Sequence, residues 1–449
     1  MSKAYEGGGP LEEYTFDLQI GISIPEDKKI SIGSITKAIE ESDLNKQVFK
    51  QILEAIQEQE VLRLCGEKNR KNETKPCKRA GCSNKTIGTK LGKIQIALRK
   101  VRDKITNDIF KPLKERIDLK DKKIYQDDIS ILSVEFASKM TYRDANREGK
   151  RITEEFPSAH TINRRAREYG EEIIQFNKSE TNEEYNIIMA DGTKVHGLHK
   201  RKNEVNAIIA LDKNGNKRLL SASVNRSWYC IAKDVRKRIS DNATLISDAE
   251  KEIRYALLQK DMHFQLDIVH AAREVGYKLW QDQIPREERK VILTELQTLL
   301  YTLKNSVEKH ALDGDMERLK QRAETTLQGL KDLAKKVARL GCWRAAKFIR
   351  ASANYMLTYA LLLIKGIDIP WNSNIIERLM GEIAKRVKNK WMHWSAPGLE
   401  AIINLILVRY TNEATYEKFY HQVQGTDSSK FINIEVKICS VITYWKTQV

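Results

Sequence analysis

The chain has 449 residues, enough for two or three domains with a sizeable core. Hydrophobic residues make up 41% and charged ones 31%, an ordinary balance for a water-soluble fold, and the formal net charge is +17. That surplus favours a polyanionic partner, nucleic acid before an anionic membrane surface.

The longest apolar runs, "MLTYALLLI" (356–364) and "AIINLILV" (401–408), are too short to span a bilayer. The first residues, "MSKAYEGGGPLEEYTF", lack the basic-then-apolar order of a secretory signal. The expected location is cytoplasmic and nucleoid-associated, with no membrane partner. The six cysteines are sparse for this length, so a disulfide framework is not expected. Cys65, Cys77 and Cys82 lack a fourth ligand for zinc, since no histidine precedes His160. Reduced, partly buried thiols are the plainer expectation.

In chain order, residues 1–40 contain a triple glycine and are expected to be poorly ordered. Residues 41–65 repeat apolar side chains at helical spacing behind Ser42 or Asp43. From Lys68 to Arg102 twelve Lys/Arg residues stand against one acid, Glu73. This stretch opens loop-like, then alternates Ile94, Ile96 and Leu98 with polar neighbours, the period of a strand. It is either a small basic β element facing phosphates or a solvated basic loop. Three short helices are predicted over 127–175, with Thr141 and Ser158 as N-caps. Their tight connections suit a helix-turn-helix, in which the last helix presents Arg164, Arg165 and Arg167 to DNA. An amphipathic bundle is the alternative.

The texture changes at 183. "EYNIIMAD", "EVNAIIALD" and "KRLLSASV" read as three antiparallel strands, the last two joined by the hairpin turn "KNGN". "WYCIAKDVRKRI" is helical, "ATLISD" a strand, "EKEIRYALL" helical and "HFQLDIVH" a fifth strand, giving the order β-β-β-α-β-α-β. Residues 271–366 carry long charged helices and no convincing strand. After "GIDIPWNSN" comes a further helix, "IIERLMGEIAKRVKNK".

Asp191 and Asp248 each close an apolar strand. Asp191-Gly192 fits a turn as well as a ligand, and Asp248 fits a helix cap as well as a ligand. If the first and fourth strands are neighbours, the two carboxylates meet at one edge of the sheet, where ligand sites of open α/β sheets lie. Hard oxygen donors there suit Mg²⁺ or Mn²⁺. A third carboxylate from a helix would complete a site for two ions and in-line phosphoryl transfer. Glu377 is preferred over Glu382, because five residues on a helix turn the two roughly 140° apart and the neighbours of Glu377 look core-facing.

Four blocks together carry a resemblance: "IIMADGTKVHG", "LISDAEKEIR", "LDIVHAAR" and "NIIERLMGEIAKRVKNKWMHWS". They resemble the RNase H-like core of DDE transposases, and most closely the Mutator-like group of prokaryotic insertion-sequence enzymes, over roughly 84–410. The resemblance implies Asp191, Asp248 and Glu377 as catalytic metal ligands for two Mg²⁺ (or Mn²⁺) ions. It also implies the Asp-x-x-His pair Asp267 and His270, with His270 at the scissile phosphate or steadying the site. It departs at Ala249, where a glycine is expected, and beyond Tyr420 nothing matches. Asp267 and His270, three apart, would share no face of a strand, so a local turn or a helix start is needed to bring them together; a core histidine with a backbone partner is the alternative for His270. Trp391 and Trp394, beside the basic helix with Arg378, Lys385 and Arg386, are candidates for stacking on an unpaired base and following phosphates; interior packing of the tryptophans is the alternative.

The resulting expectation is an α/β protein with an RNase H-like mixed sheet, three antiparallel strands followed by parallel ones, an α-helical insertion and a mainly helical N-terminal DNA-binding region. The segments are 1–125 (helical and basic β), 126–180 (helix-turn-helix-like), 181–270 with 367–412 (catalytic core), 271–366 (insertion) and 413–449 (tail). The implied function is metal-dependent cleavage of transposon ends and strand transfer into double-stranded target DNA by a homodimer or higher oligomer. A structure-specific nuclease or resolvase, and an inactive transposase-derived DNA-binding protein, are the alternatives.

Overall fold

The computed structural model describes residues 31–67, 75–117, 119–120, 123–180, 183–388 and 392–425. The chain divides into two compact units, 1–163 and 164–449. The dividing point falls inside the helix Ala159–Glu180.

In the first unit the helix Leu44–Cys65 lies against a three-stranded sheet of β1 (Cys77–Thr89), β2 (Gly92–Asp103) and β3 (Ile109–Phe110). On β2 the apolar residues Ile94, Ile96 and Leu98 are buried and Gln95, Ala97 and Arg99 exposed, the period-2 alternation read from sequence. Gln57 fastens the helix to this strand: its amide donates to Ala97 O at 3.0 Å and its carbonyl accepts from Arg99 N at 2.8 Å. The opening of the basic stretch is not loop throughout. Cys77–Thr89 forms a strand because it pairs along its length with β2, broken only by an irregularity between Arg79 and Cys82. Gly81, at φ +91°, supplies the backbone that this bulge requires. The helices Asp127–Lys139 and Tyr142–Gly149 follow, the second capped by Thr141.

The second unit is built on a mixed five-stranded sheet with β4 (Tyr185–His196), β5 (Lys202–Leu211), β6 (Lys217–Val224), β7 (Ile239–Ser247) and β8 (His263–Leu266) in the order β6-β5-β4-β7-β8. The first three are antiparallel, and β7 and β8 run parallel to β4. The β5–β6 turn is held by Asp212, whose Oδ1 accepts from Asn214 N and Asn216 N, with Gly215 at φ +78°. β4 is buried on both faces over residues 188–190 and β7 over 243–247. Here the first strand is longer than its sequence reading: it runs through Asp191-Gly192 to His196, paired with β5 throughout. β8 is shorter, ending at Leu266 before a helix begins at Ile268.

Between that helix, Ile268–Gln281, and the C-terminal part of the unit stand the helices Arg286–Asp313, Met316–Arg339, Trp343–Met356 and Thr358–Leu363. They share one continuous hydrophobic core with the sheet, in which Leu296, Leu330 and Ile349 join Ile188 and Leu245. Buried Gln265 of β8 ties the end of the insertion to the sheet, accepting from Tyr359 N at 2.8 Å. The helices Asn374–Val387, Ala396–Thr411 and Glu413–Gln424 complete the unit. The last packs on the helix Ala159–Glu180: Phe419 and Tyr420 meet the rings of Phe176 and Tyr169. No helix among the described residues is long and apolar enough to cross a membrane.

Candidate active site

Asp191 does not close a turn. Its parallel pairing with β7 stops at Met189↔Ile246, while antiparallel pairing with β5 continues through Asp191↔Ala207. Carrying the parallel register forward two residues sets Asp191 level with Asp248, which follows the last residue of β7. Gly192 serves a close approach instead of a turn: a Cβ there would lie 2.8 Å from Asn206 Oδ1 on the neighbouring strand.

Asp191 accepts one short bond, from Gly192 N at 2.7 Å. Burial pushes its carboxyl up to about 6; Asp248 and Glu377 add to the rise, and the Gly192 N–H and His270 act against it. Asp248 accepts from Glu250 N at 3.0 Å, a local turn that leads into the helix Lys251–Leu257. Glu250, next to it, is also held above the usual carboxylate range, by burial first and Asp248 second.

The other half of the site is organised by Asp267. It is fully buried at 0% exposure. Its Oδ1 accepts from Val269 N (2.7 Å) and His270 N (3.1 Å), capping the helix that starts between it and His270. Its Oδ2 accepts from Ser373 N (2.7 Å) and Ser373 Oγ (2.8 Å). Ser373 precedes the helix that carries Glu377, so Asp267 fixes that helix against the end of β8. Ser373 Oγ also lies 3.1 Å from Glu377 Oε1, and His270 Nε2 lies 2.7 Å from the same oxygen. The Glu377 side chain is 41% exposed.

Asp267, His270 and Glu377 bring one ligand atom each within 4.8 Å of one another. Asp267 is nonetheless a poor metal ligand, because four donors already occupy its two oxygens. Asp191, Asp248 and Glu377 offer oxygen donors, each with one or two hydrogen-bond partners of its own. Oxygen donors of this kind suit a hard divalent cation, and the ionisation of Asp191 is opposed by burial first and then by Asp248 and Glu377. Beside them Lys388 Nζ donates to Thr193 Oγ1 at 2.5 Å, two residues along β4 from Asp191.

The remaining sequence candidates separate by exposure. Arg164 and Arg167 are exposed, whereas Arg165 is 1% exposed with its guanidinium bonded to Glu168 at 2.5 Å, so it is not presented to DNA. Arg378 and Lys385 are exposed; Lys385 pairs with Glu382 at 2.6 Å, which occupies the rejected acid. Arg386 and Trp394 are buried against each other, the guanidinium 4.9 Å from the ring centre, and Trp394 Nε1 donates to Val387 O. That pair is interior packing and offers no ring for a base. Trp391 lies outside the described residues. Ser373 is the residue that sequence reasoning missed. Its signal, a serine directly before an apolar helix, was present in "WNSNIIERL". What could not be read was that its hydroxyl serves Asp267 and Glu377 instead of its own helix.

The thiols Cys65 and Cys77 are reduced and lie in one small apolar cluster, Cys82 is exposed, and Cys439 lies outside the described residues.

Compared with known proteins, the sequence matches the transposase family described as "Transposase, Mutator family" over residues 26–418. No curated protein matches it.

Proposed function

The chain belongs to the Mutator family of transposases, DNA-processing enzymes, and on that premise we propose that it cleaves the ends of its element and joins them to target DNA with the carboxylates Asp191, Asp248 and Glu377. The observation that carries this reading is the parallel pairing of β4 with β7 up to Met189↔Ile246, two residues short of Asp191 and of Asp248, with both Asp248 and Glu377 near enough to raise the Asp191 carboxyl. The strand order β6-β5-β4-β7-β8, three antiparallel and two parallel, supports reading the sheet as RNase H-like. The net charge of +17 supports a double-stranded DNA substrate. Work on two DNA ends supports assembly as a dimer or larger.

The three carboxylates would hold two Mg²⁺ or Mn²⁺ ions. When bound, these activate the attacking oxygen, of water or of a freed 3′ hydroxyl, and neutralise the leaving 3′ oxygen. His270 is a positioning residue: its Nε2 engages Glu377 Oε1 and fixes the carboxylate, leaving Oε2 as a ligand. Asp267 and Ser373 hold the helix under Glu377. Lys388, next to Thr193, supplies a cation for the phosphate of the strand being cut.

The test is mobilisation of a marker set between the DNA flanks of the gene, with wild type and Asp248→Asn. Movement that disappears in the variant supports the reading. Cut but unjoined ends from wild type would instead make the protein a nuclease. Soluble protein that binds the flanks and neither cuts nor joins them would make it a DNA-binding derivative.

A further inference from the structure

Base stacking was expected of Trp391 and Trp394, yet Trp394 is interior. The exposed aromatics are elsewhere. Tyr277 and Trp280 are 51% and 58% exposed and stack on each other, with ring centres 5.7 Å apart and planes 26° apart. Two large rings that pack on each other while facing water are an unusual use of apolar surface.

Both lie on the helix Ile268–Gln281, which begins at the candidate active site. Its buried face is Ala271, Ala272, Val275 and Leu279. The opposite face carries half-buried His270, then exposed Arg273, Tyr277 and Trp280. Offsets of three, seven and ten residues keep these four within an arc of about 80°. His270 to Trp280 is a rise of about 15 Å along the axis, room for a few nucleotides. No ion pair involves Arg273 among the described residues.

At its far end the stripe opens into a groove of about 680 Å³ lined by Trp280, Gln283, Arg286, Arg289 and Arg344 among others. Arg286 and Arg289 are three apart on the next helix and share this groove. The intervening Glu287 and Glu288 line a different one, with Val291 and Glu295. Arg289 Nε is buried there without a partner, and Arg344 is anchored to Asp282 at 2.7 Å. The surface is therefore aromatic and cationic together, which matches the flat faces and phosphates of a single nucleic-acid strand.

We propose that this stripe binds an unpaired stretch of the DNA strand leaving the active site, with a base stacked on the Tyr277–Trp280 pair and phosphates against Arg273 and Arg286. An unpaired stretch is required because a base inside a duplex offers no free face. The proposal rests on the transposase reading for the identity of the substrate, but its test does not need the chemistry.

Affinities for a 2-aminopurine-labelled single strand of about 12 nucleotides, and for the matching duplex, are measured in EDTA. The proteins are wild type, Trp280→Ala, Tyr277→Ala and Trp280→Phe. The expected result is single-strand binding weakened by about tenfold in each alanine variant, loss of stacking-induced quenching, duplex binding changed by less than about twofold, and retention in Trp280→Phe. Single-strand affinity unchanged in both alanine variants, or an equal loss on both DNAs, overturns the proposal. So does a shift from dimer to monomer in sedimentation of Trp280→Ala with DNA binding intact, which would assign the patch to a second copy of the chain. Cleavage by wild type against Asp248→Asn is assayed in parallel. Its failure removes the transposase chemistry and leaves the stacking result readable.

Discussion

Asp191 and Asp267 are two aspartates of one sheet, at the ends of neighbouring runs of parallel pairing, and they are treated in opposite ways. Asp267 is fully buried, and four donors saturate it. Asp191 has one backbone donor and two acidic neighbours that oppose its ionisation. The first arrangement stabilises a folded chain. The second leaves charge uncompensated, and a fold keeps such a site only where something else supplies the compensation. Burial alone therefore does not separate the two aspartates; the ratio of donors to charge does.

The largest effect expected from breaking this contrast is on chemistry. Asp191→Asn and Asp248→Asn each lose several kcal/mol of transition-state stabilisation, on the order of a thousandfold in end cleavage. Gel-shift affinity for DNA stays within about twofold, since phosphate contacts elsewhere supply it. Substantial cleavage by either variant would remove that residue from the site.

Next is Asp267→Ala. It orphans buried donors on two elements and is expected to cost about 3–5 kcal/mol in urea unfolding, with reduced order around Glu377. A stable Asp267→Ala protein that had lost only metal affinity would reverse the roles assigned to the two aspartates.

Asp191→Asn should also raise stability, and the pH at which it does so is diagnostic. The folded carboxyl titrates at about 6 against an ordinary 3.8, so the folded state holds its proton more tightly than the unfolded chain. Its favourable contribution is complete below about 4 and is lost as pH rises through about 6. In metal-free buffer the variant should gain roughly 2–3 kcal/mol over wild type between those limits and no more above them. Thermal melts of both proteins from pH 4 to 8 measure this. A constant difference across that range would show that Asp191 is not the group under strain.

The smallest expected effect is His270→Ala, which leaves the fold nearly as stable and weakens Mn²⁺ binding by about 10–100-fold, read by calorimetry. His270→Gln, which keeps a donor for Glu377 Oε1, should recover part of that loss. Equal Mn²⁺ affinity in wild type and both variants would make the His270–Glu377 contact incidental.

Local patterns were legible from the residues. Alternation on β2, the Asn214-Gly215 turn, the helix caps at Thr141 and Ser158, and the strand–helix order from Tyr185 to Leu266 all follow from periods and turn chemistry acting over a few neighbours. The hydrogen-bonding of Asp267 was half legible: its spacing to His270 called for a local turn or a helix start, and the structure makes it a helix start, but its second partner, Ser373, is more than a hundred positions away.

Sequence by itself determined that the chain is basic, that from Tyr185 onward strands and helices alternate before a long helical insertion, and that Asp248 follows a strand. It also carried the family, through four separated blocks. Only the tertiary structure decided which acid is saturated and which is left charged, that Asp191 sits inside a strand, that Arg165, Arg386 and Trp394 are interior, and that Tyr277 and Trp280 face water. The physical reason is the same in each case. Secondary structure depends on residues within a few positions, whereas exposure, hydrogen-bond partners and carboxyl ionisation depend on what distant segments bring alongside.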